Sequence, residues 1–78
     1  MPEYDVPTDI IKDGKVWLPR LLSALGLVSS NSEGRRLIQQ GAVEINGVRH
    51  ADPNEEIEVA SLHGAVIRVG KLRFARVR

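Results

Sequence analysis

The sequence predicts an α+β domain in which two packed short helices precede a small, mostly antiparallel sheet. Three observations predict it. Apolar residues recur at helical spacing in two stretches between residues 18 and 41, each stopped by a glycine. An Asn-Gly pair between apolar neighbours follows, and the last dozen residues alternate apolar with basic. At 78 residues there is room for one domain and one core. Cysteine is absent, which removes disulfides, thiolate metal sites and thiol nucleophiles. The fold must therefore rest on aliphatic side chains, and a reducing cytoplasm is the expected setting. No apolar run nears the ~18 residues of a membrane span, and no signal peptide opens the chain. No membrane partner is expected.

Residues 1–15 hold Pro2, Pro7, scattered acids and Gly14 without a clean period. They are expected to form a linker or loosely attached tail, docked at most by Ile10 and Ile11, with the domain proper at 16–78. The first helix is expected from about Pro19 to Leu25, since proline suits a first turn that needs no amide donor. Leu18, Leu21, Leu22 and Leu25 make its apolar stripe, Gly26 supplies a left-handed cap, and Leu27 folds back on Leu22. Arg20 and Ser23 face outward.

Ser30-Asn31-Ser32-Glu33 reads as a capping box that starts a second helix. Gly34, Leu37, Ile38 and Gly41 form its buried stripe, while Ser32, Arg36 and Gln39 point away and Arg35 lies on the flank. Gly34 gives up about 1 kcal/mol against alanine inside a helix, and close approach of the first helix would explain it. Asn46-Gly47 predicts a hairpin pairing Ile45 with Val48, Glu44 with Arg49 and Val43 with His50. Glu56–Val59 alternates as a half-buried strand. A second hairpin is expected about Gly70-Lys71, with Ile67, Val69, Leu72 and Phe74 on one face and Arg68 opposite Arg73 on the other. The expected core contains Leu21, Leu22, Leu25, Leu37, Ile38, Ile45, Val59, Val69 and Phe74.

Catalytic chemistry finds no constellation to use. His50 and His63 lack partners at ligand spacing; His50 reads as a partly buried structural imidazole and His63 as a loop residue. Glu55, Glu56 and Glu58 read as a solvated face, and the serines near residue 30 have no base beside them. No phosphate loop or nucleophile elbow is present. No catalytic residue, metal or cofactor is expected. Trp17 precedes a leucine-rich helix and reads as a core anchor.

Charge carries more. Formal net charge is +1, yet residues 1–60 hold six Lys/Arg against all ten Asp/Glu, and residues 61–78 hold Arg68, Lys71, Arg73, Arg76 and Arg78 with no acid. A basic end points to a polyanion partner. The start of the second helix, with the amides near Asn31 and Ser32 and the Arg35-Arg36 pair, is one expected anion site. Arg68, Lys71 and Arg73 are a second, because like charges placed opposite on paired strands destabilise a sheet, and that cost points to a ligand that needs them.

The run Leu18-x-x-Leu21-Leu22-x-x-Leu25-Gly26-Leu27-x-x-Ser30-x-Ser32-Glu33-x-Arg35-Arg36-Leu37-Ile38-x-x-Gly41-x-Val43-x-Ile45-Asn46-Gly47 closely resembles the alpha-L RNA-binding motif. With Trp17-Leu18-Pro19 ahead of it and Ile67 to Val77 behind, the chain looks like the C-terminal domain of bacterial tyrosyl-tRNA synthetases. Residues 1–15 then resemble the end of the linker from the catalytic domain. Trp17 and Pro19 stand where many relatives carry Arg and Asp, Asn31 where many carry Arg, and Gly34 where Ala is common. The resemblance implies non-catalytic binding of structured RNA, namely tRNA(Tyr) at its anticodon stem and long variable arm. The candidate RNA-binding residues are Asn31, Ser32, Arg35, Arg36, Gln39, Arg68, Lys71 and Arg73, of which Arg35, Arg36 and the basic hairpin keep the family's pattern. It implies a tyrosine–tRNA ligase as parent, dimeric through its catalytic domain, with this part monomeric. A pseudouridine synthase or a ribosome-associated protein is the alternative parent.

Overall fold

The computed structural model describes residues 1–78. Its strands are β1 (Glu3–Tyr4), β2 (Lys15–Trp17), β3 (Val43–Ile45), β4 (Val48–Arg49), β5 (Glu56–Glu58), β6 (Val66–Val69) and β7 (Arg73–Val77); its helices are α1 (Leu18–Ala24) and α2 (Asn31–Gln39). A five-stranded sheet runs β1-β7-β6-β3-β4, and β2 pairs with β5 in a separate two-stranded sheet. Only the β1–β7 pairing is parallel. The expected α+β class, two helices and a mostly antiparallel sheet, is the observed one.

Both helices end as their glycines dictate. Gly26 and Gly41 have φ near +74°, and the amides of Leu27 and Ala42 reach back to the carbonyls of Leu22 and Leu37 at 3.0 Å. Each helix thus closes in a Schellman turn, and the first leaves Leu27 buried in the core. Ser30 caps α2 by accepting from the amide of Glu33 at 3.1 Å. Gly34 faces α1 so closely that a Cβ there would lie 3.3 Å from Pro19 Cα, so the missing side chain sets the helix spacing. The core is a single cluster of seventeen buried apolar residues drawn from both helices and both sheets.

Residues 1–15, expected as a linker or loosely attached tail, add β1 to the edge of β7, and Val6 and Ile10 pack against the core. The sequence showed no period there because the contact is made by two strand residues and isolated apolar side chains. β2 went unforeseen for the same reason: three residues are too short to alternate visibly.

The first hairpin has the expected register, with Asn46 and Gly47 both at positive φ. The second does not. Val69 pairs with Arg73, Arg68 with Phe74 and Ile67 with Ala75, so the loop holds Gly70, Lys71 and Leu72 rather than two residues. A slip of one residue exchanges the two faces of a strand. Ala75 and Val77 are therefore buried, whereas Phe74, expected in the core, is 39% exposed and Leu72 is 90% exposed. Leu37 and Val59 are only partly buried, and the other six residues of the expected core are buried.

Candidate functional site

The register of β7 decides where the basic residues go. Arg73 shares the inner face of the sheet with Ala75 and Val77, but it sits at the strand's end and reaches past the core toward the helices. Its Nη1 donates to the carbonyl of Leu27 in the α1–α2 connection at 3.0 Å and lies 3.9 Å from Glu33 Oε1. Arg36, on the second turn of α2, brings Nη2 to 3.9 Å from the other Glu33 oxygen. The two arginines flank one carboxylate without closing hydrogen bonds on it.

An open groove of about 320 Å³ results between α2 and the β6–β7 turn. Arg36, Lys71 and Arg73 give it three cations, Glu33 one acid, and Leu37, Val69 and Leu72 an apolar floor. Glu33 itself is spoken for. Its Oε1 accepts from the amide of Ser29 at 2.7 Å, the residue before the cap rather than the cap itself. That amide first, then the nearby Arg73 and Arg36 guanidiniums, hold the Glu33 carboxyl below the usual glutamate range. A carboxylate so engaged offsets part of the positive charge and leaves the groove net cationic.

The structure therefore unites Arg36 with Lys71 and Arg73, which the sequence had divided between two sites. It separates Arg68 from them. Arg68 does not face Arg73; it lies on the outer sheet face beside Glu44, its neighbour across the β3–β6 pairing, and forms an ion pair with it. The like-charge repulsion expected of Arg68 and Arg73 does not exist, because the three-residue loop puts them on opposite faces. Ser32, Arg35 and Gln39 are exposed on α2 outside the groove. Asn31 is half-buried, with its Oδ1 shielded and without a hydrogen-bond partner.

Sequence reasoning missed the apolar floor and the wall role of Glu33. Glu33 was visible only as a cap residue. Leu72 is a surface leucine only in a three-residue turn, and Gly70-Lys71 in the sequence signals a two-residue one. His50, expected as a partly buried structural imidazole, is half-buried and its Nδ1 lies 2.9 Å from Glu55 Oε1; His63 is exposed and contacts the carbonyl of Arg78. No helix is long and apolar enough to cross a membrane.

Fold and groove define a small α+β domain whose distinctive surface is a cationic groove at the helix–hairpin junction. Comparison with known proteins gives the family. Residues 2–77 match the model of the tyrosine–tRNA ligase SYY-like C-terminal domain. The chain is similar to tyrosine–tRNA ligases of Moorella thermoacetica (49% identical over 96% of this chain) and Geobacter sulfurreducens (55% over 99%). That of Salinibacter ruber is 47% identical over the whole chain. The matches cover 19%, 18% and 18% of those proteins, so the chain spans less than a fifth of the curated relatives it matches. The chain belongs to the tyrosine–tRNA ligase C-terminal domain family.

Proposed function

We propose that this chain binds structured RNA as the tRNA-holding domain of a tyrosine–tRNA ligase, with tRNA(Tyr) as its ligand and catalysis in a different, dimeric part of a cytoplasmic parent. The observation that carries the reading is the gathering of Arg36, Lys71 and Arg73 on one groove against a single engaged acid. Three cations within one open cleft suit consecutive phosphates. Arg35, Gln39, Ser32 and the first amides of α2 by Asn31 extend the contact along the helix. Arg68, neutralised by Glu44, is left as a peripheral charge.

Double-helical RNA hides its bases in a deep, narrow groove, so recognition of a stem rests on shape and phosphates. Titration of tRNA(Tyr) at two salt concentrations tests this. Arg36→Ala and Lys71→Ala should each weaken binding severalfold and lower the salt slope by roughly one. Neither side chain supports the core, and Arg36 touches Glu33 only at 3.9 Å, so melting without RNA should be nearly unchanged. Wild-type affinity and slope in both variants would put the RNA elsewhere. Arg68→Ala is the internal comparison and should leave the slope nearly as it is.

A further inference from the structure

The floor of the groove is not what a phosphate cradle needs. Leu72 stands 90% exposed at the tip of the β6–β7 turn, between Lys71 and Arg73, and it lines the groove together with half-buried Leu37 and buried Val69, among three cations and the engaged Glu33. Turn geometry does not call for leucine there; turns favour Gly, Asn, Asp and Ser. A continuous stem would present phosphates and 2′-hydroxyls to this surface and leave the leucine against polar groups. A nucleotide splayed out of a bulge or junction presents both things at once: an apolar base face, and charged phosphates on either side of it.

We infer that the groove seats one unstacked nucleotide, its base on Leu37, Val69 and Leu72 and its flanking phosphates on Arg36, Lys71 and Arg73. The inference rests on the RNA-binding reading and names the RNA feature that the same site takes. Charge complementarity selects the occupant, since three cations against one engaged acid leave the groove net positive beside its apolar residues. The groove's volume, about 320 Å³, lies at the small end of ligand pockets, suited to one base rather than a helix. Aliphatic contact discriminates little among bases, so the seat reads the presence of an unpaired nucleotide more than its identity.

Two RNA hairpins identical except for a single-nucleotide bulge provide the test, with 2-aminopurine as the bulged base, whose fluorescence rises on leaving the stack. The 78-residue chain should bind the bulged RNA about tenfold more tightly, equivalent to about 1.4 kcal/mol, with a fluorescence rise. That is within reach of one leucine face leaving water. Leu72→Ala, which removes an exposed side chain and leaves the core intact, should abolish the preference and the rise. Affinity for the continuous hairpin and the salt slope should stay unchanged. Equal binding of both RNAs by the wild type, with its salt slope intact, overturns the nucleotide seat and spares the RNA-binding reading. Failure to bind either RNA overturns both. A preference that survives Leu72→Ala overturns the seat, as does a Leu72→Ala variant that alters only self-association and so assigns the tip to a second copy.

Discussion

Glu33 holds two tasks on one carboxylate. It takes the amide of Ser29, fixing the entry to α2, and it stands between Arg36 and Arg73. Because its folded-state pKa lies below that of the unfolded chain, the unfolded chain takes up the proton first as pH falls. The stability it contributes is full above the ordinary glutamate range and is lost as pH drops through the lowered folded value. Glu33→Gln should therefore melt below wild type at neutral pH, and the gap should close in acid, where Glu33 is protonated too. A gap that stays constant from neutral to strongly acid pH would remove the charge from the explanation. Gly34 gives a second prediction at this scale. Alanine gains about 1 kcal/mol of helix propensity but crowds the Pro19 backbone, so Gly34→Ala should melt near wild type. Gly34→Val adds two methyls where none fit, and overpacking of ~1–3 kcal/mol should lower its melting temperature clearly. The reason for Gly34 was legible in the sequence. The surroundings of Arg73 were not, because they depend on a strand register.

That register belongs to the scale of elements. Residues 72–77 contain two interleaved apolar sets, Leu72 with Phe74 and Ala75 with Val77, and either can face a core. The larger set looks more hydrophobic in sequence, but the smaller is the one packed into the core. Ala75 is fully buried opposite Ile67. The first hairpin suffered no such ambiguity, since Asn-Gly fixes both the loop length and the positive φ angles. Helix ends were equally legible, because a capping serine and a terminal glycine act within a few residues. β1 and β2 were not, as each is defined by a partner about forty to seventy residues away. The slip makes a testable inversion. Ala75→Val should destabilise by ~1–3 kcal/mol through overpacking. Phe74→Thr, on the outer face in a β-compatible residue, should lose less. Thermal melts of the two variants check it, and the reverse ranking would restore the two-residue turn.

Across the molecule, folding redistributes a charge pattern that looked simple along the chain. The basic end does not stay a basic patch. Arg78 lies 3.8 Å from both Glu3 and Asp5, Arg68 meets Glu44, and Lys71 and Arg73 turn toward α2. Linear asymmetry therefore pointed to the right kind of partner without locating the surface, which only the long-range pairings of β7 create. The same strand joins two regions with different jobs. Its end is held by β1, with the amides of Arg76 and Arg78 donating to the carbonyls of Pro2 and Tyr4 at 2.9 and 3.0 Å; its start carries Arg73 into the groove. Deleting residues 1–5 removes those backbone bonds and leaves β7 as an exposed edge. The melting temperature should fall by several degrees, since about 1 kcal/mol shifts a domain of this size by roughly 4–8 °C. RNA binding measured well below the new melting point should keep its salt slope, because Arg36, Lys71 and Arg73 lie at the other end of the strand. Loss of stability and of slope together would mean that β1 braces the groove as well as the fold.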